Sequence, residues 1–260
     1  MCYDIQAKLD SMLKRARREH NEDFVEELLR KIERFNGKPM FHLTGFDHPE
    51  LLIYTDREPF IPTPSSWGLI PHWVRDQEAQ KKIVNSTLNA RGETIFDKPA
   101  FVDSAKNKRC IICVDGFFEY HHYKGKSFPH FIAKKNGEPI SLGGLWSEWI
   151  NPDSGELVNS FSIVTTKANP LMAKIHNNPK LDGPRMPLIL TKEAESEWLA
   201  QASNEEEWEK IKSLIVPSLD ENLSAHSVGK LRGKNSPGNS ESITDEVIYA
   251  AMLDDTPTLF

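Results

Sequence analysis

The chain has 260 residues, 38% of them hydrophobic and 27% charged, with a net charge of −6. That composition describes an ordinary globular domain with enough chain for one substantial core. It excludes a broad basic coat for nucleic acid, though not a small basic cleft on an acidic body, and no apolar run nears the ~20 residues that span a bilayer. Three cysteines, with no secretory signal ahead of them, point to a reducing cytoplasm without disulfides.

In chain order, the first element is chemical. Met1 precedes a small side chain, the context in which initiator methionine is removed, and removal leaves Cys2 with an α-amine and a thiol on adjacent carbons. With the amine near ~8 and the thiol near ~8.5, both nucleophiles are partly available at neutral pH. Such a 1,2-aminothiol converts an aldehyde into an imine and then into a five-membered thiazolidine, which no internal cysteine can do. Residues 6–36 place Leu9, Met12, Leu13 and Ala16, then Phe24, Val25, Leu28, Leu29 and Ile32, at helical spacing, with a break near Asn21-Glu22-Asp23.

Extended segments follow at 41–44, 51–55 and 66–70. From Arg109 onward the pattern is a meander, with strands at 110–122, 128–134, 140–149 and 161–166 separated by Gly- and Asn-rich turns. A further strand is expected at 186–190, helices at 191–200 and 204–214, and a last short helix at 245–253. Asn204 and Glu207 stand at capping-box spacing. Consecutive hairpins with flanking helices predict an α+β fold: a mainly antiparallel, barrel-like β-sheet core flanked by helices. We expect one domain over 1–260, with 6–36 as a helical insertion and 240–260 as a C-terminal helix and tail.

Several residues could carry chemistry. Cys110 and Cys113 form a C-x-x-C, but a second ligand pair is missing and the segment is apolar and strand-like, which puts the thiols on opposite faces of a core strand. No metal or cofactor is expected. Asn89-Ala90-Arg91-Gly92-Glu93-Thr94 is either a polar turn or part of a site. Glu119 shares a strand face with Phe117 and Cys113, so it is exposed, paired, or held in a pocket that raises its pKa. His176 leads into an Asn-Asn-Pro loop, and a lone histidine is more often structural than catalytic. Trp73, between His72 and Arg75, offers a stacking platform for a base.

Taken together and in this order, the motifs resemble the SRAP family of SOS-response-associated peptidases, also described as abasic-site processing proteins. The matching elements are Met1-Cys2, Trp67-Gly-Leu-Ile-Pro-x-Trp73, Asn89-Ala-Arg91-x-Glu-Thr, Gly116-Phe-Phe-Glu119-Tyr, Thr165-Thr166-x-Ala-Asn169, and His176 followed by Arg185-Met-Pro-Leu-Ile-Leu. The tract from Val228 to Asn239 resembles the family's C-terminal signature. Three features depart from the pattern: Tyr3-Asp4 stands where the family has Gly-Arg, which removes a phosphate-contacting arginine. The Asn-x-Ala-Pro element is not recognisable, and residues 177–184 separate His176 from Arg185.

The resemblance implies that Cys2, exposed by loss of Met1, crosslinks to the ring-opened aldehyde of an abasic site in single-stranded DNA. Release of Met1 is either self-catalysed or left to an aminopeptidase. Asn89 would orient Cys2 and the sugar, while Glu119 and His176 would move protons, the histidine titrating near ~6.5. Trp73, Arg91, Thr166 and Arg185 would contact the nucleic acid. Single-stranded DNA is the expected partner, with neither a membrane nor an obligate protein partner. An N-terminal-nucleophile amidohydrolase would also unmask Cys2, and a module reading modified bases would bind DNA reversibly and tolerate Cys2→Ala.

Overall fold

The computed structural model describes residues 2–18, 22–33 and 40–253. Strand β1 (Asp4–Gln6) is followed by helices α1 (Leu9–Arg18) and α2 (Glu22–Glu33), then by β2 (Leu43–Thr44), β3 (Glu50–Thr55) and β4 (Thr63–Trp67). Next come α3 (Gln77–Ile83), β5 (Asn89–Arg91), α4 (Val102–Asn107), β6 (Arg109–Val114), β7 (Gly116–Tyr123), β8 (Lys126–Lys134), β9 (Ile140–Ile150) and β10 (Leu157–Lys167). The remaining elements are α5 (Pro170–Ile175), β11 (Arg185–Pro187), β12 (Ile189–Leu190), α6 (Lys192–Leu199), α7 (Glu205–Ser213), β13 (Leu223–Ser227) and α8 (Ala250–Leu253).

Five strands close on themselves: β10 pairs β4, β4 pairs β3, β3 pairs β6, β6 pairs β9, and β9 returns to β10. All these pairings are antiparallel except β4 with β10. The fold is therefore α+β with a barrel at its centre, as the hairpin pattern implies. Closure leaves β3, β6 and β9 without an edge, and it buries Leu51 to Tyr54, Cys110 to Val114 and the Trp67–Phe161 stack. Close packing inside the barrel also explains Gly144 on β9, because a Cβ there would lie 2.4 Å from Ile112 Cδ1 on the neighbouring strand β6. A second sheet runs in the order β13-β8-β7-β1-β2.

The strand expected over 110–122 is two strands in two sheets. It breaks at Asp115, whose backbone N–H donates to Gln6 O and whose carboxylate accepts from Lys8 N. Gly116 permits the crossing, since any side chain there would strike Ile132 O at 2.4 Å. Cys113 therefore does not share a face with Glu119; it belongs to β6 in the barrel, while Glu119 belongs to β7 in the second sheet. The segment 186–190 likewise divides: β11 joins β10, and β12 joins β9.

The helical insertion begins only at Leu9, after β1, and is described as two helices, α1 to Arg18 and α2 from Glu22, so Asn21 of the expected break lies outside the described residues. Arg15 ties it to the body: its guanidinium lies 3.1 Å from Glu195 Oε2 and 4.0 Å above the Tyr54 ring. The last helix is shorter than expected, covering Ala250–Leu253, and the expected tail beyond it lies outside the described residues. At the α7 cap Asn204 accepts from Glu207 N, while the Glu207 carboxylate accepts from Ser203 N and is also held by the Asn204 backbone. Among the described residues no helix is long and apolar enough to cross a membrane.

Candidate active site

Strand β1 hydrogen-bonds along β7, pairing Asp4 with Phe118 and Gln6 with Gly116, and this carries Cys2 towards the level of Glu119. Strand β5 runs beside β10, with Asn89 opposite Ile163, and aims the Asn89 side chain across the gap. Its Nδ2 donates to Cys2 O at 2.9 Å. The other amide atom, Asn89 Oδ1, is buried and has no protein partner among the described residues. A buried acceptor without a donor costs about 1–3 kcal/mol, and a donor on a ligand would recover it.

The fourth element is α5. Asn169 caps its start by accepting from Met172 N, Pro170 occupies its first turn, and His176 ends it. The Arg185 backbone N–H donates to His176 Nδ1 at 3.1 Å, so this nitrogen is the acceptor and Nε2 carries the proton. That Nε2 lies 3.9 Å from Glu119 Oε2. Beside them opens a cavity of about 220 Å³ lined by Tyr3, Asp4, Phe118, Glu119, Tyr120, His122, His176, Asn178 and Leu181; Cys2 and Asn89 are not among its lining residues. A larger depression of about 640 Å³ lies at the β12 and β13 edges and shares none of these residues.

Burial sets the protonation of the site. It pushes the Glu119 carboxyl up to about 7, with the neighbouring Asp4 adding to the effect. It pushes His176 down to about 4, assisted first by the positive charge of the N-terminal amine and then by His122 and Arg185, so the imidazole is neutral at pH 7. The sequence suggests an imidazole titrating in the neutral range, and burial moves it below that range. The fully buried Cys2 thiol is raised well above its usual value, first by burial and then by Glu119.

The expected nucleic-acid contacts are distributed differently. Arg185 is buried, with its guanidinium bidentate on Glu93 at 3.0 and 2.7 Å and also bonded to Thr165. Although partial burial opposes it, this hydrogen bonding holds the Glu93 carboxyl below its usual range. A phosphate grip by Arg185 would require that pair to open; in this arrangement Arg185 supports His176. Thr166 is also buried and donates to Ile215 O at 3.4 Å, so its hydroxyl serves the fold. Arg91 is exposed and meets Asp182 at 3.2 Å. Trp73 is half exposed, donates weakly to Pro99 O, and does not line the cavity between Glu119 and His176.

Glu93 and the Arg185 backbone are the working parts that sequence reasoning missed, although Glu93 lies inside the Asn89 motif. Cys110 and Cys113 are buried thiols, and among the described residues no cluster of His, Cys, Asp and Glu is placed to hold a metal.

A barrel with a cysteine at position two, its carbonyl held by an asparagine beside a buried Glu–His pair, defines a class of protein built around its own N-terminal segment. The chain belongs to the SOS response associated peptidase (SRAP) family, whose model matches residues 10–234. It is 37% identical over 175 residues to the abasic site processing protein YoqW of Bacillus subtilis, covering 67% of this chain and 71% of that one. It is 29% identical over 201 residues to the abasic site processing protein HMCES of Pongo abelii, covering 66% of this chain and 53% of the relative. Among solved structures, a Bacteroides thetaiotaomicron protein superposes with a TM-score of 0.78 at 34% identity, over 95% of this chain and 100% of that one. A Bordetella bronchiseptica protein shares the fold, with a TM-score of 0.66 at 22% identity over 88% of this chain and 100% of that one.

Proposed function

We propose that this protein processes abasic sites by crosslinking Cys2, after loss of Met1, to the ring-opened aldehyde of an abasic deoxyribose in single-stranded DNA. The observation that carries this reading is a buried Cys2 whose carbonyl accepts from Asn89 and whose thiol feels the charge of Glu119, the carboxyl that faces His176. An N-terminal aminothiol has distinctive chemistry with aldehydes, and an unpaired strand presents the lesion at least cost.

The α-amine of Cys2 adds to the sugar aldehyde at its first carbon, and the carbinolamine loses one water to give an imine. The thiol then adds to the imine carbon, forming the C–S bond, while its proton passes to the nitrogen and closes the thiazolidine. The Cys2 thiol is held protonated by burial, so this second step needs a base at hand. Glu119, at about 7, exists in both forms near neutrality and can take the thiol proton, then return one to nitrogen. Neutral His176 directs its Nε2–H towards Glu119 and offers a hydrogen bond to a sugar oxygen without changing charge. Arg91 would bind a flanking phosphate and Trp73 would stack on a neighbouring base.

Incubation with a uracil-containing oligonucleotide treated with uracil glycosylase, followed by denaturing electrophoresis, tests the reading. Wild-type protein should give a heat- and detergent-stable adduct, and Cys2→Ala should give none. A full yield from Cys2→Ala would overturn it.

A further inference from the structure

A second depression of about 470 Å³, lined by His42, Thr44, Phe46, Asp47, Leu231 and Arg232 among others, lies behind residues that line the cavity between Glu119 and His176. Its size falls in the roughly 300–1,000 Å³ range of ligand clefts. Tyr3 and Asp4 stand between the two. Tyr3 lines the reactive cavity, and its ring lies 4.9 Å from that of Phe46, which lines the second depression and is 51% exposed. Asp4 also lines the reactive cavity, yet its carboxylate is buried and takes hydrogen bonds from His42 and Arg232.

Arg232 is unlike the other arginines at the site. Its Nη2 is fixed by Asp4 and by Thr44 Oγ1 at 2.8 Å, while the side chain remains 51% exposed. Among the described residues its Nε and Nη1 have no partner. A guanidinium held along one edge and open along the other is prepared for a bidentate oxyanion. Lys230 and Lys234, both exposed, flank it in sequence and make this loop basic on an acidic chain. Asp47, on the rim, disfavours an anion at its own end and so directs one to Arg232. An exposed aromatic beside an anchored cation is the pairing that binds a base together with its phosphate.

We propose that this depression is a nucleotide subsite: Phe46, backed by Tyr3, stacks on the base next to the abasic sugar, and Arg232, held by Asp4 and Thr44, grips the adjoining phosphodiester. The proposal rests on the reading of the neighbouring cavity as the place of the abasic sugar.

The test is equilibrium binding of a short single-stranded oligonucleotide carrying a central tetrahydrofuran, an abasic analogue that cannot ring-open. Phe46→Ala should weaken binding about tenfold, the scale of one lost base–aromatic stack. Arg232→Gln should weaken it similarly and lower the salt slope by about 0.7, one phosphate on a single strand. The Phe46→Ala loss should vanish for an oligonucleotide truncated beside the lesion on one of its two sides. The rate of Cys2 reaction with free 2-deoxyribose should stay as in wild type. Arg232→Gln leaves Asp4 buried without its cation, so Phe46→Ala, at an exposed position, decides the matter on its own. Binding by Phe46→Ala within twofold of wild type overturns the subsite, as does a deoxynucleoside monophosphate binding as tightly as the oligonucleotide. If the subsite variants behave as expected but wild type forms no adduct with abasic DNA, the proposed reaction fails and the subsite stands.

Discussion

His176 Nε2 faces Glu119 Oε2 at 3.9 Å while the opposite ring nitrogen accepts the Arg185 amide at 3.1 Å. The second contact fixes the tautomer, and burial makes the carboxyl the group that titrates near neutrality. Desolvation moves the two in opposite directions, Glu119 to about 7 and His176 to about 4.

The opposed shifts have a measurable consequence. A carboxyl raised from its unfolded value to about 7 binds more protons folded than unfolded, so its contribution to stability falls as pH rises between about 4.5 and about 7. An imidazole lowered to about 4 does the reverse, its contribution being lost as pH falls below about 6.5. Wild-type stability should therefore vary little across that window. Glu119→Gln removes one slope: relative to wild type it should gain stability between pH 5 and pH 8, on the order of 3 kcal/mol at most. Denaturant unfolding at both pH values checks this, and a constant difference would refute the raised carboxyl.

The same substitution should slow adduct formation by about 10²–10⁴-fold, the range for a lost general acid–base, with reversible binding of intact DNA nearly unchanged. Quenched time courses with glycosylase-treated oligonucleotide supply the rate. A loss confined to binding would move Glu119 from chemistry to recognition.

Cys2→Ser should separate the two bonds. Its amine still forms the imine, which borohydride traps, but the hydroxyl closes the ring poorly. We expect a borohydride-dependent adduct from Cys2→Ser and a borohydride-independent one from wild type. Equal heat stability of the two adducts would argue against a C–S bond.

Loop 177–184 answers for one of the expected DNA contacts. Asn177 exchanges hydrogen bonds with the His122 backbone at 2.6 and 3.0 Å, Leu181 lines the reactive cavity, and Asp182 meets Arg91. A phosphate must displace Asp182 to reach Arg91. Both side chains are well exposed, so the pair is weak, about 0–1 kcal/mol. Asp182→Asn should tighten single-stranded DNA binding by up to about fivefold at low salt, and the gain should shrink as salt rises. Weaker binding would mean that Asp182 positions Arg91 instead of competing for it.

Glu93 supports the site from behind. Glu93→Gln leaves the largely buried Arg185 guanidinium without its counter-charge, at a cost of about 1–3 kcal/mol given the partly exposed carboxylate. Thermal unfolding should register a lower midpoint, and adduct formation should slow because the Arg185 backbone orients His176. An unchanged midpoint would show that Thr165 alone holds Arg185.

What the sequence determined by itself is what short-range physics writes into it. Asn204 caps the helix that follows it through a bond to the amide three residues on, and that contact is visible as spacing. Turn residues and alternation marked the hairpins, and the aminothiol at Cys2 depends only on adjacent atoms. Tertiary structure alone decided the rest, because the deciding contacts join distant residues: Cys2 with Asn89, 87 positions apart, Arg185 with Glu93, 92 apart, and Asp4 with Arg232, 228 apart. Periodicity cannot show that Asp115 turns the chain from one sheet into another, since 110–118 is apolar on both sides of Asp115-Gly116 and reads as one buried strand. Nor can it tell which arginine is buried as a strut and which is held open to solvent. That distinction follows from where a carboxylate happens to lie once the barrel has closed, with Glu93 neutralising Arg185 and Asp4 fixing one edge of Arg232.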